Sequence, residues 1–402
     1  MVKLIKNKLS VDYFLIVILV LFSIDFYLQG ILIFLIGAIG YLVFNGNKTI
    51  QYSPLLVSFV IFFIFFYIYS DYFEASIVKS VIALPIAFTF GSSISNISPK
   101  KISFLLLICA FTMALHAILN MLYNFRLYGI AAIGLRVSSD FWTGEVSLST
   151  GQAAKMVPFL SCVFVLLFYN KNNKLKLFSF ITFILLIIYN FALGGRSAII
   201  LTVLSIVFSL FLVIMRERDF KLARKLIIIL GFTIFVIALL YIFNIFDIQS
   251  LFEESSFNHR FNSEGGQDIE EDDRMRRKII YIVNIFKYPF GGQHLCFDEH
   301  IGHAHDLWLD CFDMVGIIPF ILIVFYTISS ILRAKQYYSN RNVSTYYGVM
   351  ILSFFLIMNI QFFLEPIIEG SPKLLILYCF IDGLINKYLT ITRKTNGITK
   401  FN

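Results

Sequence analysis

Charge is what this 402-residue chain has least of: Asp, Glu, Lys and Arg together make up 14%, against about a quarter in an ordinary soluble domain. That shortage excludes the usual water-facing globular surface. With 58% hydrophobic residues and 46 phenylalanines, it leaves lipid as the solvent. Cysteine is sparse too: Cys109, Cys162 and Cys379 fall in apolar runs, while Cys296 and Cys311 lie in or near the longest polar segment. Their irregular spacing matches no zinc pattern, so they read as filler thiols. There is no His-Glu-x-x-His pair and no internal repeat of the kind found in inverted-repeat transporters. The apolar stretch behind Lys3, Lys6 and Lys8 runs past Leu28 without a small-residue cleavage site, so it reads as a first spanning helix and not as a secretory signal.

What the chain does have is a succession of apolar runs, with a mean hydropathy of +0.81. A spanning helix needs about 20 mostly apolar residues. Such runs occur near 11–28, 31–44, 54–69, 75–92, 102–123, 149–169, 175–193, 197–215, 225–245, 307–332, 345–364 and 372–388. The expected fold is therefore an all-α polytopic membrane protein of about twelve transmembrane helices in one membrane domain, 1–402, with a long loop at 246–306 between spans nine and ten. Gln29-Gly30 offers the only turn within the first pair. The net charge of +8 does not point to nucleic acid, because the 33 Lys and Arg form short clusters between apolar runs. In alternate connections they number 21 on one side and 4 on the other short set. The positive-inside rule then puts both termini in the cytoplasm of a bacterium and the long loop outside its plasma membrane.

Ionisable groups are costly in a bilayer unless they reach an interface or line a cavity. In this topology Asp25, Lys79, His116, Lys155, Arg196 and Glu365 fall in the outer half of their spans or at the outer mouth, and Asp382 is the exception near mid-membrane. Lysines near a helix end can simply extend their amines to the interface; several cations on one side can instead share a pocket for an anion. In the loop, QDIEEDDRMRRKIIYIVNIFKYP starts acidic and then carries Ile279, Ile282, Val283 and Phe286 at helical spacing before Pro289. That pattern predicts an amphipathic helix on the membrane or the bundle, the alternative being a solvated charge run. Beyond it, His303, His305, Asp306, Asp310 and Asp313 precede the tenth span, with His294 and His300 nearby. Such a set could ligate a metal, or one histidine could act as a base whose tautomer a neighbouring carboxylate fixes.

Two motifs resemble the O-antigen polymerase and O-antigen ligase superfamily of membrane glycosyltransferases. ALGGRSAII, 192–200, is similar to the family's arginine at the outer start of a span, with Gly195 where the family has serine. HDLWLDCFDMVGIIPF, 305–320, parallels the family pattern of His-Asn and a later Gly-Ile-Ile, placing His305 on the family histidine, Gly316 on its glycine and Asp306 on its asparagine. Arg274 precedes Pro289 as the family's loop arginine precedes its own turn, with Arg277 as the other register. The segment RVSSDFWTGE, 136–145, together with WLD and GIIPF, is closer to repeat-unit polymerases than to ligases.

The resemblance implies glycosyl transfer from an undecaprenyl-diphosphate-linked glycan donor to a second lipid-linked repeat unit, making O-antigen or capsular polysaccharide. It implies His305 and Asp306 as catalytic residues, and Arg196, Arg274, Arg277, Arg136, Lys155 and Lys79 as the diphosphate- or substrate-binding set. It also implies membrane lipid and a chain-length regulator protein as partners. No Asp-x-Asp motif stands on an outer loop, so arginine is expected in the place of a metal and no cofactor is expected. A ligase acting on lipid A core would use the same residues, and a transporter of lipid-linked sugars would also want a cationic cavity.

Overall fold

The computed structural model describes residues 2–44, 51–129, 137–193, 196–218 and 273–398. In chain order these form α1 (Val2–Ser23), α2 (Gly30–Phe44), α3 (Pro54–Tyr67), α4 (Ala75–Ser93), α5 (Pro99–Tyr128), a hairpin of β1 (Val137–Ser139) and β2 (Val146–Leu148), α6 (Ser149–Leu160), α7 (Val163–Phe168), α8 (Asn173–Ala192) and α9 (Arg196–Glu217). After residue 272 come α10 (Asp273–Val283), α11 (Leu307–Val315), α12 (Ile317–Ser339), α13 (Thr345–Leu364), α14 (Ile367–Gly370) and α15 (Pro372–Ile398). Among the described residues eight helices are long and apolar enough to cross a membrane, and three shorter apolar helices cover Tyr13–Ser23, Gly30–Phe44 and Pro54–Tyr67. The chain is an all-α membrane protein. The span read at 225–245, and the loop up to residue 272, lie outside the described residues.

Local chemistry sets several helix starts. Ser53 and Ser98 each accept an N–H of the first turn, from Leu56 at 3.4 Å and Lys101 at 3.2 Å, and each is followed by proline at the first helical position, where the missing N–H costs nothing. The core is apolar as in a soluble bundle, but the outward face is apolar too. On α9 the outward stripe is Ile200, Val203, Val207 and Phe211, whereas Ser205 and Ser209 are buried and bond to the Leu160 carbonyl and Ser353. Lipid accepts the apolar stripe, and the interior satisfies the polar groups. Where α4 crosses α15, Gly91 faces the Phe380 carbonyl and Gly383 faces the Phe88 carbonyl so closely that a Cβ on either would collide; small residues bring the two backbones together.

Two expected spans are broken. The run at 149–169 is α6 and α7, with the Ser161 hydroxyl donating to the Pro158 carbonyl at the break (2.7 Å). The run at 307–332 is α11 and α12, separated at Gly316, which has φ +85°. That backbone suits glycine, and a Cβ there would collide with the Pro289 carbonyl. The segment before α11 folds onto this corner: Ile317 N–H donates to the Pro289 carbonyl (3.0 Å) and Gln293 N–H to the Asp313 carbonyl (2.7 Å).

Candidate functional site

Some of the polar side chains singled out from the sequence, among them Arg274, Arg277, His303, His305, Asp306, Asp310 and Asp313, gather around the segment 284–306. Three carboxylates of α11 and its N-cap hold that segment. Asp306 caps α11, accepting from Trp308 N–H (2.9 Å) and Leu309 N–H (3.1 Å). Asp310 accepts from Ala304 N–H (2.8 Å) and Asp306 N–H (3.0 Å), so it fixes the backbone on both sides of His305, whose φ is +54°. Asp313 accepts from Leu295 N–H (3.1 Å) and Cys296 N–H (3.2 Å). Tyr281, fully buried on α10, donates to the Gly302 carbonyl (2.9 Å).

The carboxylate beside His305 in the chain, Asp306, is engaged by the start of α11. The Asp306 carboxylate is held by the two helix N–H groups and lies 3.7 Å from Lys278 Nζ; a helix N-terminus attracts an anion more strongly than a neutral imidazole does. The Nδ1 of His305 is buried with no hydrogen-bond partner among the described residues. Burial, then Arg274 and Arg277, then His303 and Lys278, push the imidazole down to about 4, so at neutral pH it is uncharged among cations.

Arg274 Nη1 donates to the Leu364 carbonyl (3.3 Å) and lies 3.6 Å from Glu365 Oε1. The same Oε1 is 3.4 Å from the hydroxyl of Ser197. The start of α9 and α10 therefore meet at one carboxylate, and Arg196 begins α9 beside that meeting point. Arg277 lies against Gly302. Lys278 is buried, donates to the Phe363 carbonyl and sits over the Phe363 ring (3.4 Å).

Lys155 and Lys79, also of the expected binding set, do not join this group. Lys155 belongs to a second, buried cluster, 3.9 Å from Asp140, whose other neighbour is His116 Nε2 at 2.9 Å; Lys373 pairs with Asp25 beside it. Asn120 and Asn124 pin the hairpin that carries Asp140 onto α5, through Phe141 N–H (2.8 Å) and Ser139 N–H (2.9 Å). Burial makes opposite charges seek each other, and Lys155 finds its carboxylates within this cluster. Lys79 lines a third feature, a cavity of about 640 Å³. Arg136 lies outside the described residues.

The cavity opens between the α3–α4 connection, the segment 293–303 and α14. Glu369 forms its inner polar wall, 3.1 Å from His303 Nδ1 and accepting from Gln293 Nε2 (3.3 Å). Burial, then Glu74 and Asp313, push the Glu369 carboxyl up to about 7, while burial and Arg277 push His303 down. The sequence reading passed over Glu369, and a signal was present: LEPIIEG sets two acids four residues apart between apolar spans. Among the described residues no three of His, Cys, Asp and Glu are placed to hold a metal ion. The histidines diverge, His294 to Asp298 (2.6 Å), His303 to Glu369 and His305 to the cations. No family model matches the chain, and no curated protein matches it.

Proposed function

We propose that the protein is a membrane glycosyltransferase, using an undecaprenyl-diphosphate-linked glycan as donor and a second lipid-linked repeat unit as acceptor at the outer face of a bacterial plasma membrane. The observation that carries this reading is His305, with a buried Nδ1 that lacks a partner among the described residues, beside Arg274, Arg277 and Lys278. A bound anion would complete that atom. In the transfer, the acceptor oxygen bonds to the anomeric carbon, the bond from that carbon to the diphosphate breaks, and its electron pair leaves on the lipid diphosphate. Cations fixed beforehand in a partly dry site stabilise that charge without rearranging, and arginine presents a planar fork to phosphate oxygens. If the loop 246–306 faces outward, as the positive-inside count expects, these groups lie on the side where the donor headgroup is presented, and two lipid tails need lateral access between helices. Polymerisation is favoured over ligation by WLD, GIIPF and RVSSDFWTGE, which are closer to repeat-unit polymerases.

Purified protein in nanodiscs, supplied with lipid-linked repeat units alone, is expected to produce a ladder of lengthening glycans. His305→Ala and Arg274→Ala are each expected to lose about a hundredfold or more in rate. Product that forms only when lipid A core is added identifies a ligase. Substrate that changes leaflet with its glycosidic bonds intact identifies a transporter and overturns the proposal.

A further inference from the structure

The cavity of about 640 Å³ has a composition that the diphosphate reading does not use. Its wall carries Asp71, Glu74 and Glu369 against Lys79 and His303, an acidic excess that repels phosphate. Its aromatic members include Phe73 and Phe297, which are 48% and 37% exposed. Phe73 leans on Tyr67 (5.5 Å between centroids), and Phe297 is stacked against Tyr72 (4.3 Å), so both rings are held in place. Rigid aromatic faces beside carboxylate and amide groups suit a neutral polyhydroxyl ligand. The rings cover its C–H faces, and each carboxylate accepts charge-assisted hydrogen bonds from its hydroxyls. The cavity borders the cationic group: His303 lines it, and Arg277 acts on both His303 and His305.

We infer that this cavity binds the non-lipid saccharide of the acceptor, and that Glu369, positioned by His303 and Gln293, takes the proton of the attacking hydroxyl. The second part rests on the glycosyl-transfer reading. The proton passes to a Glu369 oxygen as the acceptor oxygen bonds to the anomeric carbon, the lipid diphosphate leaves with its electron pair, and no other reactant is needed. A carboxylate suits this task when its surroundings raise its basicity toward working pH, and burial of Glu369 does so. His305, held neutral among cations, is left to the diphosphate side. This division assigns acid-rich and cation-rich halves of one site to the neutral and the anionic parts of the reaction.

The test uses the full-length protein in nanodiscs and, as probe, size-fractionated oligosaccharides released by mild acid from the host cell's own surface polysaccharide. Binding is read by saturation-transfer NMR and rate by the ladder assay. Expected results are that wild type binds the oligosaccharide, that Phe297→Ala and Phe73→Ala weaken binding by about tenfold, and that Glu369→Gln keeps binding within threefold while losing about a hundredfold or more in rate. A Phe297→Leu variant, which keeps the volume without the flat ring, separates loss of stacking from misfolding and is expected to bind as weakly as Phe297→Ala. Binding indifferent to both phenylalanines overturns the saccharide site, and a wild-type rate in Glu369→Gln overturns its proton role. If no glycosyl transfer occurs under any condition but Phe297→Ala still removes binding, the transfer reading and the Glu369 role fall together and the saccharide site stands.

Discussion

Gln293 and His303 engage the two oxygens of Glu369 separately, so the side chain is anchored whichever protonation state it holds. Burial, then Glu74 and Asp313, move its pKa from 4.5 to about 7, which fixes the sign of its effect on folding. Between those values the folded chain keeps a proton that the unfolded chain has released. The stability contributed by Glu369 is therefore complete below about pH 4.5 and is lost as pH rises through about 7. Glu369→Gln, neutral at every pH, is expected to melt above wild type at pH 8 and level with it at pH 4.5. The comparison needs the two proteins side by side, because Asp313, pushed up to about 6 by its own burial, changes stability in the same direction in both. A difference of equal size at the two pH values would show that Glu369 ionises as an ordinary surface acid. The residue was hard to find in the sequence because its role depends on His303 and Gln293, which the chain brings to it from more than sixty positions away. His305 and Arg274 were easier, since each stands inside a motif whose spacing is local.

At the scale of elements, the placement of apolar runs was legible wherever hydropathy alone decides, and the helices over 75–93 and 345–364 begin and end within a residue of expectation. Hydropathy does not register a corner made of apolar residues, and so 307–332 read as one helix although Gly316 divides it. Nor does it show what a lone carboxylate meets. Asp382 stood out as an acid near mid-membrane, and the structure supplies its partner: Arg333 Nε and Nη2 donate to it at 2.7 and 2.6 Å, and the Ser330 hydroxyl at 2.8 Å, joining α12 to α15. Removing one member of such a pair leaves the other charge without compensation, at a cost of about 3–5 kcal/mol. Asp382→Asn is therefore expected to lower the melting temperature sharply, and Arg333→Met combined with Asp382→Leu to recover most of the loss. If Asp382→Asn melts with wild type, the fork does not hold the two helices.

For the whole molecule, the sidedness of charge and the sidedness of the candidate site are independent observations that need to agree. The count of 21 cationic residues against 4 comes from the connections, whereas the gathering of Arg274, His305 and the acidic cavity at one end comes from packing of the segment 273–306. The connections that border the cavity, at 70–74 and 365–373, belong to the cation-poor set. The proposed chemistry requires that end to face away from the cytoplasm, because the polymer is built where its lipid carriers present their glycans. All five native cysteines are buried, which makes introduced thiols readable against a low background. Thr143, next to β2, and Ser339, at the far end of α12, are both exposed. In intact spheroplasts Thr143→Cys is expected to react with a membrane-impermeant maleimide, and Ser339→Cys to react only after permeabilisation. The reverse pattern would put the cavity and the arginines in the cytoplasm, where sugar nucleotides and not carrier-linked repeat units are the available donors, and a glycosyl transfer between two lipid-linked glycans would then have no substrate at this site.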